Sequence, residues 1–306
     1  MQTQTEIRSS ITQRIVAALK AGMIPWRKPW SEVQDPVRLP TNFSSKRAYS
    51  GINVPLLWLT QHEKGYPISY WASFQQWKSV GASVKKGEKA TGIVFYRQVK
   101  KHVEQEDGTN KLETFPIMRT WSVFNVSQVE GPVTEQFKAK PQQDGVQTFE
   151  DVDRTEFDRL IAELGVEVRY GASRAYYLRP PHEQISMPDE SQFGSFPPFA
   201  ETLLHECAHY SESEGRCGWT GTYAEGELRA EMASCFVMAA LGIPGGDLTN
   251  HAAYVQSWLQ ALENDPKHIF KASSAASKAA DYLLGFIRAK EGAEIEEEEE
   301  AAVARS

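Results

Sequence analysis

Residues 205–209 read His-Glu-Cys-Ala-His, inside a run that begins Phe199-Ala200-Glu201-Thr202-Leu203-Leu204. On a helix, two histidines four apart lie one turn apart on one face. Both imidazoles then reach one metal ion, with Glu206 beside it to polarise water, the H-E-x-x-H arrangement. A catalytic zinc takes three protein ligands and leaves one position open. Glu227 and Glu231, in the helical pattern Gly226-Glu227-Leu228-Arg229-Ala230-Glu231-Met232-Ala233, supply the carboxylate. Glu227 is the expected third ligand. Glu231, four residues on, is expected to accept the outer N–H of a ligand histidine, or to serve as the alternative ligand. Glu206 is then the catalytic base, and the ion is a divalent metal, Zn2+ first, with Mn2+ or another ion compatible. Tyr223 and His251 are candidates for a group beside the developing oxyanion. Cys207 reads as a small packed residue.

The front of the chain offers a different chemistry. Residues 1–100 carry 15 Lys/Arg against 5 Asp/Glu, and 12 of the aromatic residues, five of them Trp. The remainder is acidic enough to bring the whole to −7. A basic half implies a polyanionic partner. Cations neutralise phosphates and aromatic faces stack on unpaired bases, so the combination favours single-stranded nucleic acid over duplex. The candidate contacts are Trp26, Arg27, Lys28, Trp30, Lys46, Arg47, Tyr49, Lys85, Lys86 and Lys89. Pro25 and Pro29 forbid helix around the first four. Trp58, Trp71, Phe74 and Trp77 recur at helical spacing and are expected in the core. No run is long and apolar enough for a membrane span, and the N-terminus shows no signal core. Three scattered cysteines fit a reducing cytoplasm and no disulfide framework.

Elements to position these groups are legible. Residues 5–22 predict a helix with an Ile7, Ile11, Ile15, Leu19 stripe, and residues 54–62 a second, short one. Residues 92–97 and 119–126 predict strands, joined as a long hairpin through a polar tip near 106–110. Residues 127–149 are polar with two prolines and read as a linker. A helix over 150–163, three short strands, the metal helix, the Glu227 helix and two further amphipathic helices complete the second part. The seven-Glu segment after Lys290 is expected to be disordered. The resulting divisions are 1–130, a linker at 131–149, 150–290, and a tail at 291–306.

Pro25-Trp26-Arg27-Lys28-Pro29-Trp30, the Asn-x-x-Ser-x-x-x-Tyr-x-Gly-x-Asn pattern from Asn42 to Asn53, Trp71-x-x-Phe-x-Gln-Trp and Gly81-x-x-Val-Lys-Lys-Gly-Glu resemble the N-terminal domain of ArdC-type antirestriction proteins. Leu204-His-Glu-x-x-His, Arg216 and Tyr223-Ala224-x-x-Glu227-Leu-x-Ala-Glu231 resemble that family's zincin-like metallopeptidase domain. The likeness runs from about residue 5 to 288. Cys207 and Gly226 depart from the family pattern without removing a ligand. The resemblance implies an α+β protein of two domains: an N-terminal α+β domain that binds single-stranded DNA, and a C-terminal zincin-like metallopeptidase domain with a small sheet and several helices. It implies a cytoplasmic protein that protects incoming plasmid or mobile-element DNA from host restriction. The alternative is a DNA-tethered metallopeptidase whose partner is a host restriction enzyme or another protein substrate. Whether the chain is an enzyme stays open at this point.

Overall fold

The computed structural model describes residues 3–27, 39–104, 110–137, 152–245 and 252–304. The chain divides into two compact units. One holds residues 1–25 and 40–138; the other holds 26–39 and 139–306. The division interrupts the expected 1–130 domain, because Trp26 and Arg27 cluster with the second unit.

In the first unit, α1 (Gln4–Lys20) starts at a capping box in which Thr3 accepts from the Glu6 amide and Glu6 reaches back to the Thr3 amide. It buries Ile7, Ile15, Ala18 and Leu19. After β1 (Thr41–Asn42), α2 (Asn53–Lys64) buries every residue from Val54 to Gln61 and stops at left-handed Gly65. β2 (Tyr70–Ala72) follows, then α3 (Phe74–Ser79), opened by a second capping box between Ser73 and Gln76. That cap separates the aromatics expected on one helix face. Trp71 lies on β2 and is buried, Trp77 is buried on α3, and Phe74 is exposed. β3 (Ser83–Val84) pairs with β6 (Val129–Glu130), and the unit runs on to residue 138.

β4 (Thr91–Glu104) and β5 (Asn110–Asn125) form the long hairpin, in register from Thr91 opposite Val123 to Glu104 opposite Asn110. The four-stranded sheet runs β1-β2-β5-β4, parallel between β1 and β2 and antiparallel beyond. β4 is therefore an edge. The Asn53 side chain covers it, donating to the Val94 carbonyl and accepting from the Val94 amide, both at 2.8 Å. The base of the hairpin meets the core, where Ile93 packs on Leu57, Trp71 and Val123.

In the second unit, α4 (Thr155–Leu164) starts five residues later than the expected 150–163 and closes at left-handed Gly165. β7 (Glu167–Arg169), β8 (Tyr176–Leu178) and β9 (Gln184–Ser186) form a sheet ordered β7-β9-β8, with β8 on the edge. α5 (Phe196–Tyr210) begins with Pro197 and Pro198 in its first turn, where missing N–H groups cost nothing. α6 (Tyr223–Leu241) has a Thr222–Glu225 capping box and ends at left-handed Gly242. α7 (Ala252–Asn264) and α8 (His268–Ala304) complete the unit. The helix of α8 continues through the acidic segment, where disorder was expected; Ala and Glu are strong helix formers. Most of the expected linker lies outside the described residues.

Candidate metal centre

α6 is buried on all sides from Gly226 to Ala239, including Glu227, Arg229 and Glu231. Charged groups so placed need partners, and α5 supplies them. Glu201, His205 and His209 recur every four residues along α5; Glu227, Glu231 and Cys235 do the same along α6. Each series follows one helix face.

At one end the two series make a convergent donor set. Nε2 of His205 and Nε2 of His209 are 3.2 Å apart. The Glu227 oxygens stand 3.4 Å from His205 Nε2 and 3.5 Å from His209 Nε2. Three side chains thus turn potential ligand atoms toward one point, and two imidazoles with one carboxylate suit a divalent ion. Burial opposes the charge on Glu227, but hydrogen bonds from both histidines hold its carboxyl far below the usual range.

Each histidine is backed by a carboxylate. Nδ1 of His209 lies 3.0 Å from Glu212, which also receives Arg229 at 3.2 Å and Arg179 at 2.8 Å. Burial pulls His209 down, yet Glu212 and Glu227 outweigh it and push its pKa up to about 9. Arg229 further donates to the Ala208 carbonyl and Ser211 Oγ, tying α6 to the end of α5. Nδ1 of His205 faces Glu231 at 3.9 Å. Glu227 therefore stands with the ligand atoms, and Glu231 behind the ring. Glu212 was missed, although it sits three residues past His209 on the continuing helical turn.

Glu206 is buried, and desolvation raises its pKa against the lowering pull of His205 and His209. It accepts a hydrogen bond from the backbone of Tyr177 on edge strand β8. Cys207 is fully buried, and burial pushes its thiol pKa up. Tyr223 opens α6 and is 77% exposed. His251 lies outside the described residues.

The expected DNA contacts divide sharply. Trp26 is fully buried, its ring 5.4 Å from that of Trp258 in an edge-on packing. Arg27 is enclosed by Glu201 and Glu231. Both are corrections: indole and guanidinium are engaged inside the second unit and offer no stacking face. Tyr49 keeps part of its surface in solvent. Its ring is half-buried against Leu57, Trp71 and Val123, and its hydroxyl accepts from Asn42. Lys46, Arg47, Lys85, Lys86 and Lys89 are exposed. Lys46 Nζ sits 3.9 Å above the Phe43 ring, and Lys85 Nζ donates to the Ser127 carbonyl. Lys28 and Trp30 lie outside the described residues.

Comparison with known proteins matches both units. A model of the N-terminal domain of anti-restriction factor ArdC matches residues 5–124, and one of a zincin-like metallopeptidase matches residues 155–275. The metal-free crystal structure of the antirestriction ArdC protein from plasmid R388 superposes with a TM-score of 0.74 at 35% identity, covering 92% of this chain and 97% of that one. This chain belongs to the ArdC antirestriction family. The Mn(II)-bound structure of the R388 protein has a TM-score of 0.69 over 91% of this chain. The uncharacterized protein y4eC of Sinorhizobium fredii is 32% identical over 294 residues, 92% of each chain. DNA primase TraC of Escherichia coli is 32% identical over 308 residues, but the match takes in only 28% of the primase. The ArdC relationship agrees with the two-domain α+β architecture. A zincin-like domain and a Mn(II)-bound relative agree with a divalent metal.

Proposed function

We propose that this chain is a cytoplasmic antirestriction protein that binds single-stranded DNA through its first unit and carries a divalent ion in its second. The observation that carries the DNA reading is an exposed aromatic face on the β4–β5 hairpin. Phe95 is 55% exposed and Trp121 57% exposed. Ile93 pairs with Trp121 and Phe95 with Arg119, so the two rings are diagonal neighbours on one face of the ribbon, with an exposed cation opposite Phe95. Large rings held in solvent beside a guanidinium suit unpaired bases and their phosphates. The loop bearing Lys85, Lys86 and Lys89 leads directly into β4, and Lys46 and Arg47 add two cations elsewhere in the unit. No described helix is long and apolar enough to cross a membrane.

Incoming mobile-element DNA coated along its single strands would be withheld from host restriction. Fluorescence anisotropy with a mixed-sequence single strand tests the binding. Each of Trp121→Ala and Phe95→Ala should lose about 1–3 kcal/mol of binding, roughly five- to 150-fold in Kd. Unchanged affinity in both variants, or a preference for duplex, overturns the reading.

A second reading, a DNA-tethered peptidase acting on a host protein such as a restriction enzyme, is favoured by Glu206. Its raised pKa and its place beside β8 suit a group that takes a proton from water and returns it to a leaving amine. The position of β8 on the edge of its sheet suits an extended peptide. His205, His209 and Glu227 would hold the ion, Zn2+ by ligand type, and a bound ion would supply Lewis acidity. Glu206→Gln separates the readings. Protection retained with DNA binding intact favours the binding protein; protection lost with DNA binding intact favours the peptidase.

A further inference from the structure

Behind the ligand triad lies a second buried acidic group. Glu201, Glu231 and Cys235 bring donor atoms within 4.8 Å of one another, and all three residues are buried. A cationic side chain already lies among them. Arg27 Nη2 pairs with Glu201 Oε1, and Arg27 Nε donates to Glu231 Oε1 at 3.0 Å. The side chains of Arg27, Glu201 and Glu231 are 7%, 9% and 4% exposed. The other oxygen of Glu231 faces Nδ1 of His205, the ring nitrogen opposite the Nε2 turned toward Glu227.

We propose that Arg27 is a positioning residue of the metal centre: it holds Glu231 by one oxygen so that the other keeps the His205 proton on Nδ1 and leaves Nε2 free for the ion. This rests on the reading that His205, His209 and Glu227 hold a divalent metal. A neutral imidazole carries one N–H, and the acceptor at one nitrogen decides which nitrogen is free to ligate. Glu231 is that acceptor only while its free oxygen is aimed at the ring. Without a shared cation, two carboxylates side by side in a buried space repel each other, and neither keeps its direction. A guanidinium serves both at once with its planar fork; an ammonium has no such fork. The chain delivers Arg27 by inserting two consecutive side chains into this unit. Trp26 packs on Trp258 as the anchor, and the next residue carries the charge. Trp26 and Arg27 therefore serve the metal centre rather than nucleic-acid contact.

The test uses the full chain, with Mn(II) as the probe, in Arg27→Gln, Arg27→Lys, Glu231→Gln and the Arg27→Gln/Glu231→Gln double variant. Mn(II) affinity is read by calorimetry, and the His205 tautomer by nitrogen-15 NMR of the chelated protein. Arg27→Gln should weaken Mn(II) binding about 10–100-fold, the range for loss of a group supporting a ligand, and shift the His205 proton toward Nε2. Arg27→Lys should fall between it and the parent. In the Glu231→Gln background, removing Arg27 should add nothing. Unchanged Mn(II) affinity and tautomer with only a lower Tm would make Arg27 a mere structural charge and overturn the proposal, as would losses that multiply in the double variant. If Arg27→Gln does not fold, Arg27→Gln/Glu201→Gln removes one charge of each sign and is read the same way. A parent chain that binds no Mn(II) sinks the metal reading, while the tautomer comparison still decides the role of Arg27.

Discussion

Glu212 stands 3.0 Å from Nδ1 of His209, on the side of the ring away from the Nε2 that faces Glu227. The carboxylate is buried and braced by Arg229 and Arg179, so its lone pairs are fixed in direction. A ligand histidine backed in this way keeps its proton on Nδ1 and gains basicity. Glu212→Ala should weaken divalent-metal affinity by about 10–100-fold. It also leaves Arg229 without its carboxylate in a buried site, so Tm should fall as well. Glu212→Gln keeps the shape and should retain more of both. Metal titration of the two variants checks this; equal affinity in Glu212→Ala and parent would show that the brace does not act on the ligand.

Metal and proton compete for His209. Its pKa is raised to about 9 from an ordinary 6.5. A raised histidine contributes stability that is fully present below 6.5 and is lost as pH climbs through 9, so the chelated protein should lose stability across that window. Metal binding requires the neutral ring. Displacing one proton makes affinity rise by about tenfold per pH unit below 9 and level off above it. Thermal melts with and without Mn(II) at several pH values should show the metal-induced rise in Tm growing from pH 6.5 to 9. A rise that is flat across that range would remove His209 from the ligand set.

The elements of the second unit were legible because their signals are local. Gly165 and Gly242 end helices with a left-handed residue, and the His205–His209 spacing needs only a helix to make a face. The Glu201, His205, His209 ladder was equally visible, but Glu201 sat among apolar residues and carried no metal signature of its own. What the pattern could not reveal is direction across the chain. Trp26 and Arg27 have the composition of a nucleic-acid contact, and only their long-range partners Trp258, Glu201 and Glu231 give them a different role. Phe95 and Trp121 were hidden for the opposite reason. Ile93-Val94-Phe95-Tyr96 is uniformly apolar, so alternation could not say that Val94 is buried and Phe95 exposed.

Burial separates Trp26 from a base-stacking role in a measurable way. A fully buried indole packed on another indole should cost about 3–5 kcal/mol on truncation to Ala. Trp26→Phe retains most of the apolar contact and should fold with a modestly lower Tm. Its affinity for a single-stranded oligonucleotide should equal that of the parent, in contrast to Trp121→Ala. Loss of oligonucleotide binding in Trp26→Phe at full native fold would return the residue to the nucleic-acid surface.

Lys86 and Lys89 are exposed on the turn before β4, whereas Lys85 in the same loop donates its ammonium to the Ser127 carbonyl. The loop backbone is pinned as well: the Lys85 amide donates to the Gln128 carbonyl, and Gln128 Nε2 donates to the Lys89 carbonyl. The two exposed ammonium groups are therefore presented from a fixed frame, ready to meet a phosphate chain approaching the hairpin. For single strands each phosphate contact contributes a slope of about −0.7 to log K against log salt. Lys86→Gln and Lys89→Gln should each reduce that slope by about 0.7, and together by about 1.4, with little effect on sequence preference. The oligonucleotide titration repeated across a salt series reads the slope directly. A double variant with the parent's slope would place the phosphate path elsewhere on the unit, leaving Arg119, opposite Phe95, as the cation to neutralise next.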